Sequence, residues 1–141
     1  MPADPQAIVA ALDAQSRRHE TPCGDGKMVW RSWGAGQPLI LIHGAIGSWT
    51  HWIRNIEPLA RRYQVWAMDA PGYGESDLAP ADGSLEPIAA AIASGAEHLL
   101  PGGARLLIAG FSLGGRIGCL VAERLQARLE DRKSTRLNSS H

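Results

Sequence analysis

The sequence predicts an α/β fold in which helices flank a mostly parallel sheet, and three observations predict it. The run Pro38-Leu-Ile-Leu-Ile42 is continuously apolar and bounded by glycines, which is how a strand buried on both faces reads. Strand-like runs alternate along the chain with stretches whose apolar residues recur at helical spacing. The connections between them are short, and such alternation means βαβ units rather than hairpins.

The elements follow in order. Asp4 then Pro5 makes a cap followed by a first-turn proline, and Ile8, Val9 and Leu12 form an apolar stripe, so a helix is expected to about His19. Thr21 to Gly26 reads as a turn. Met28, Val29, Trp30 and Trp33 suggest a strand ending at Gly34-Ala35-Gly36. The apolar run 38–42 stops at His43-Gly44. Trp52, Ile53, Ile56, Leu59 and Ala60 have helical spacing, and Tyr63 to Met68 reads as a strand entering a turn-rich loop at Asp69. Ser84 can cap a helix with the face Leu85, Ile88, Ile92, Ala96 and Leu99, closed by Pro101-Gly102-Gly103. Arg105 to Ala109 is a buried strand, and a last helix from Leu113 carries Ile117, Leu120, Val121, Leu125 and Leu129 on one side.

Composition bounds the function. The chain has 141 residues, 45% of them hydrophobic, with 14 Lys+Arg against 14 Asp+Glu, as expected of one globular domain with no polyanion to bind. No nucleic-acid partner is expected. The apolar runs fall far short of the ~20 residues that span a bilayer, and the N-terminus lacks a basic segment followed by a long apolar one, so no membrane partner and a cytoplasmic location are expected. Cys23 and Cys119 form no CxxC pair and no metal-ligand cluster; both read as reduced thiols, one of them on a core helix.

The end of the chain breaks the pattern. Residues 131–141, DRKSTRLNSSH, continue the last amphipathic helix as a polar string whose single apolar residue is Leu137. The string resembles the in-frame translation of a widely used sequencing adapter at every residue. That resemblance implies natural protein to about Glu130 and a non-native tail after it; a genuine disordered tail is the alternative. Without the tail the remainder is mildly acidic.

Three motifs carry the chemistry. Gly110-Phe111-Ser112-Leu113-Gly114 fits G-x-S-x-G, in which a sharp strand-to-helix turn lifts the serine Oγ out of the backbone. The bare pattern is weak, but here a buried strand runs in and a helix rich in small residues (Gly114, Gly115, Gly118) runs out. Glycines suit both sides because a Cβ would clash where the helix start meets neighbouring strands. The helix N-terminus also favours negative charge developing nearby. The second motif, His43-Gly-Ala-Ile-Gly-Ser-Trp49, leaves the end of a buried strand, where loops of an α/β sheet border the ligand crevice. Acyl transfer needs two N–H donors aimed at the oxyanion, and the backbone amides of Ala45 and Leu113 are the candidates. The third is the loop DAPGYGES at 69–76. An ordinary glycine-rich turn is the plain alternative to each reading.

With these motifs in this order, and Trp52 to Leu59 (WIRNIEPL), the chain resembles the α/β-hydrolase superfamily from about Val29 to Leu129. It looks most like bacterial serine hydrolases that include carboxylesterases, meta-cleavage-product C–C hydrolases and perhydrolases. The resemblance implies an incomplete α/β-hydrolase fold, with residues 1–130 the N-terminal half of the domain. It implies Ser112 as nucleophile, Ala45 and Leu113 as the oxyanion hole, and Ile46 and Trp49 near the acyl pocket. It implies a small-molecule substrate with no cofactor and no metal. Serine at 112 also differs from the aspartate of dehalogenases and epoxide hydrolases.

The mechanism needs a histidine base and an acid, which in this fold follow the serine. His43 resembles the family's structural histidine; His19, His51 and His98 precede the elbow and read as surface or packing residues; His141 lies in the tail. Asp69 and Asp77 read as turn residues. The triad acid and histidine are therefore expected to be absent, the strand 105–109 to have an open edge, and residues 1–130 to be inactive and poorly soluble. The parent activity expected is ester or C–C cleavage next to a carbonyl. A non-catalytic α/β-hydrolase-like binding protein is the alternative. A nucleotide-binding fold is disfavoured because neither G-x-G-x-x-G nor G-x-x-x-x-G-K-[ST] is present.

Overall fold

A computed structural model describes residues 4–77, 84–100, 105–126 and 138–140. Helix α1 (Pro5–Gln15) starts as its sequence demands, the Asp4 carboxylate accepting from the Gln6 N–H ahead of a first-turn proline. It is shorter than expected, because Arg17–Cys23 forms an edge strand, β1. That segment is polar and only Thr21 in it is buried, so no alternation betrays it. The expected turn at 21–26 contracts to Gly24-Asp25, a two-residue hairpin loop with Gly24 at φ +59° joining β1 to β2 (Gly26–Trp33).

The other strands are β3 (Gln37–Ile42), β4 (Tyr63–Met68), β5 (Leu107–Phe111) and β6 (Asn138–Ser140), in the spatial order β1-β2-β4-β3-β5-β6. The first two pairings are antiparallel, and β4-β3, β3-β5 and β5-β6 are parallel. The sheet is therefore mixed at one edge and parallel through its centre, as the continuous apolar run of β3 requires. Leu39 and Leu41 face one side with Trp33, Val65, Ala67 and Ile56, whereas Ile40 and Ile42 face the other with Ile92, Ile108, Ile117 and Val121. Each fully buried Ile or Leu stabilises the fold by roughly 1.5–3 kcal/mol.

Between β3 and β4 the expected helix divides into a 3-10 turn, Trp49–Trp52, and the short α2 (Ile56–Ala60). Helix α3 (Leu85–Leu99) buries Ile88, Ile92 and Ala96 of its predicted stripe, and α4 (Leu113–Arg124) buries Ile117 and Val121, with Leu125 just beyond its end. Pro101-Gly102-Gly103, Leu129 and residues 131–137 lie outside the described residues. β5 begins and ends two residues later than predicted, because Gly110 and Phe111 stay extended: Gly110 pairs with Ile42, and the turn waits for Ser112.

The edge of β5 is not wholly open. β6, from the suspected tail, pairs with Ala109–Phe111. Backbone N–H and C=O groups on an exposed edge accept any extended segment, which is why composition gave no hint of it. Cys23 and Cys119 are free thiols, and Cys119 points outward from α4 rather than into the core.

Candidate active site

Parallel pairing decides where the motifs meet. Ile42 lies opposite Gly110, so β3 and β5 end level with each other and release the loop 43–49 and the turn at 112 side by side. The approach is close: a Cβ on Gly44 would stand 2.9 Å from the Phe111 ring and 3.2 Å from its carbonyl oxygen.

Ser112 has φ +55° and ψ −118°, a backbone region unstrained only for glycine. It occupies the N-cap of α4, where serine ordinarily caps, yet its side chain makes no capping bond and the residue is exposed. The cost of that conformation is about 1–3 kcal/mol. It is sustained by the glycines on either side: a Cβ on Gly110 would overlap the Gly114 carbonyl and lie 2.6 Å from the Gly115 nitrogen. Leu113 is the first residue of α4, so its N–H has no acceptor within the helix. Among the described residues, one other non-glycine has positive φ, and it is Ile46, at +51° in the adjoining loop. Strained backbone gathers at functional sites because surrounding structure must hold it there.

The loop carrying Ala45 and Ile46 is clamped at both ends. His43 is 2% exposed; its Nε2 accepts from the Ala70 N–H at 2.9 Å and its Nδ1 lies 2.7 Å from the Gly44 carbonyl oxygen. Ala70 N–H can only donate and Gly44 C=O only accept, so the ring is the neutral Nδ1–H tautomer. The Gly44 N–H donates to His51 Nδ1 at 3.2 Å. At the far end, buried Asp69 accepts from the Trp49 N–H through Oδ1 and from the Glu75 N–H through Oδ2, both at 2.9 Å. Arg31, with a side chain 4% exposed, sits 3.8 Å from Asp69, pairs with Asp13 at 2.8 Å and Glu75 at 3.1 Å, and lies over the Trp49 ring.

Burial pushes the His43 imidazole below its ordinary pKa and His51 adds to this, while the Gly44 bond and the Asp69 carboxylate pull the other way. Folded His43 thus binds a proton less readily than unfolded His43. Its contribution to stability is complete above about pH 6.5 and declines as pH falls below that value. Urea midpoints should drop between pH 7.5 and 5.5, and the drop should shrink in His43→Gln. An equal drop in the variant would place the effect elsewhere, for example at His19, which burial also lowers.

A family model for the alpha/beta hydrolase fold matches residues 37–130. The chain belongs to the α/β-hydrolase family. It is 38% identical over 87 residues to the dihydrolipoyllysine-residue acetyltransferase component of the acetoin cleaving system of Pseudomonas putida, covering 62% of this chain and 23% of that protein. It is 35% identical over 95 residues to the pimeloyl-[acyl-carrier protein] methyl ester esterase of Vibrio cholerae, covering 67% and 34% respectively. The solved structure of the epoxide hydrolase CorEH superposes with a TM-score of 0.71 at 26% identity, over 81% of this chain and 39% of that one. The chain thus spans about a third or less of the length of these curated relatives.

Ser112 and Leu113 lie at the turn into α4, and Ala45 and Ile46 lie in the loop that leaves the adjacent strand β3. Trp49 is buried, its ring 5.5 Å from that of Trp33. Its N–H is held by the buried Asp69 carboxylate. A cavity of about 440 Å³ lies elsewhere, lined by Leu39, Leu41, Trp52, Leu59 and Leu107, and includes none of the expected site residues. Asp77 is more than a turn residue: its backbone carbonyl accepts from the Gly72 N–H, but its carboxylate accepts from the Lys27 N–H at 2.5 Å and its own N–H donates to the Lys27 carbonyl, tying the loop to β2. His19 packs on Trp66 and His98 is exposed, as read. Asp69 is more than a turn residue, and His51 more than a surface one. Arg31 was missed altogether; an arginine inside the strand pattern Met28–Trp33 was its one available signal. Among the described residues no helix is long and apolar enough to cross a membrane, and no group of three or more His, Cys, Asp or Glu could hold a metal.

Proposed function

We propose that the chain is part of a serine hydrolase cleaving an ester or a C–C bond next to a carbonyl in a small molecule, without a cofactor. The observation that carries this is Ser112: an exposed serine, strained and not capping, at the start of α4 beside the loop of Ala45. Relatives named as an esterase and an epoxide hydrolase support hydrolysis as the reaction class.

In this reading the Ser112 Oγ bonds to the carbonyl carbon while its proton passes to a base. The displaced π pair moves to the carbonyl oxygen, and the N–H groups of Ala45 and Leu113 donate hydrogen bonds to the oxyanion. Collapse breaks the bond to the leaving group, which takes the proton back from the base, and leaves an acyl-enzyme; water, giving its proton to the same base, hydrolyses that ester and Ser112 is reprotonated. Ile46 borders the acyl group, and Trp49 supports the loop from beneath. His43 is unsuited as base, since Nε2 already accepts from Ala70. The family resemblance places the base and its acid after the serine, in sequence beyond residues 1–130, with 131–141 adapter-derived, so the 141-residue chain is inactive in this reading.

The test is to read the source locus past the codon for Glu130, express its product and assay p-nitrophenyl acetate. Ser112-dependent turnover is expected, with Ser112→Ala lowering it by at least about 10³-fold. Turnover that survives Ser112→Ala would overturn the nucleophile assignment. A natural frame that encodes DRKSTRLNSSH would instead favour a non-catalytic protein.

A further inference from the structure

Gly47 is kept small by a contact, not by its backbone. Its φ lies outside the left-handed region that favours glycine, yet a Cβ there would overlap the His51 imidazole and stand 2.8 Å from its Nδ1. The ring fills the turn from Gly44 to Gly47: its Nδ1 accepts from the Gly44 N–H at 3.2 Å, and it packs edge-on against the rings of His43 and Phe111, each at 5.9 Å. The 3-10 turn Trp49–Trp52 aims it there. Ser48 caps that turn through the Thr50 N–H, the His51 N–H donates to the Ser48 carbonyl, and a helical side chain leans back toward the start of its turn. Among the described residues the partners of His51 all lie within 43–52 or at Phe111, so the arrangement does not rest on sequence beyond residues 1–130.

The Gly44 N–H can only donate, so His51 Nδ1 carries a lone pair and the neutral ring has its proton on Nε2, the reverse of His43. Gly44 is thus held at both ends, its N–H by His51 and its carbonyl by His43. That carbonyl and the Ala45 N–H share one planar trans peptide, so fixing Gly44 fixes where the Ala45 N–H points. We propose that His51 is a positioning residue of the reaction, which sets the Ala45 donor by accepting from Gly44 and filling the loop against Gly47. The inference rests on the reading of Ser112 as nucleophile and Ala45 as an oxyanion donor.

The test uses the complete locus product with p-nitrophenyl acetate. His51→Leu and His51→Asn have nearly the same shape and differ in the acceptor. His51→Leu should lower kcat by roughly 10- to 100-fold, less than outright loss of an oxyanion donor, with KM little changed because the donor acts in the transition state. His51→Asn, whose amide oxygen stands near the place of Nδ1, should restore most of that loss. A wild-type kcat in His51→Leu, or equal impairment in the two variants, overturns the proposal. Gly47→Ala should cost about as much as His51→Leu but far less in a His51→Ala background, where the methyl has room; losses that simply multiply overturn the proposal, and this cycle also serves if His51→Leu fails to fold. The Gly44 and Ala45 amide resonances read the loop without turnover: both should shift in His51→Leu and return toward wild type in His51→Asn, and unmoved resonances overturn the proposal. If Ser112→Ala keeps its activity the nucleophile reading fails, and the amide shifts then support or overturn the His51 arrangement alone.

Discussion

Asp69→Ala is expected to destabilise the protein by about 3 kcal/mol, a large share of the roughly 5–15 kcal/mol that holds a domain folded. Two terms compete to explain the loss. The ion pair with Arg31 is long, at 3.8 Å, and Arg31 keeps Asp13 and Glu75 as partners after the substitution. The hydrogen bonds are shorter and have no substitute: Trp49 N–H is buried and Glu75 N–H partly so, and each would lose a charged acceptor at 2.9 Å. The unsatisfied donors therefore dominate. Asp69→Asn should recover part of the loss, because one acceptor oxygen remains while the new NH2 group faces the other donor. If the proposed hydrolase activity holds, both variants should lower turnover of the complete locus product, since Trp49 anchors the far end of the loop that bears Ala45. Urea denaturation measures the first effect; a change below about 1 kcal/mol in Asp69→Ala would show that the loop is held by other contacts.

The second large effect is expected at Gly114. A Cβ there would overlap the carbonyl oxygen of Ile42 and lie 2.5 Å from that of His43, both of them backbone atoms at the end of the central strand β3. Such atoms cannot swing aside as a side chain would. Overpacking of this kind costs about 3 kcal/mol or more, against the 0.5–1 kcal/mol that alanine gains over glycine in a helix. Gly114→Ala should therefore lower Tm sharply and, by moving the start of α4 away from β3, separate Ser112 from the loop of Ala45. Gly24→Asn is the control: φ is +59° there, whereas Gly114 has ordinary helical backbone, but no atom lies within 4 Å of the new Cβ, and asparagine tolerates that conformation. Its effect should stay within about 0.5 kcal/mol. A Tm for Gly114→Ala within a degree or two of the parent would show that the close approach of α4 to β3 is not needed.

Where sequence reading succeeded, the information was local. The both-faces-buried character of Pro38–Ile42 follows from five adjacent apolar residues, and the stripe of α4 from residues three and four apart. The elbow is equally compact, since its serine, its two glycines and the strand and helix around them lie within one window of sequence. Where it failed, the deciding partner lay elsewhere in the chain. β1 is polar and extended because β2 supplies its hydrogen bonds, and β6 pairs with β5 although its residues carry no strand pattern.

By itself, then, the amino-acid sequence determined the α/β class, the central strands and helices, and the serine at a strand-to-helix turn. These depend on hydrophobic periodicity and on which residues tolerate a given backbone, both properties of neighbours along the chain. Only the tertiary structure decided that Asp69 is a buried anchor rather than a turn carboxylate, that His43 is locked in one neutral tautomer, and that Trp49 turns inward. Whether a polar group is desolvated, and which donor meets it, depends on segments that converge in space: Arg31, Trp49 and Asp69 are far apart in sequence yet share one buried network.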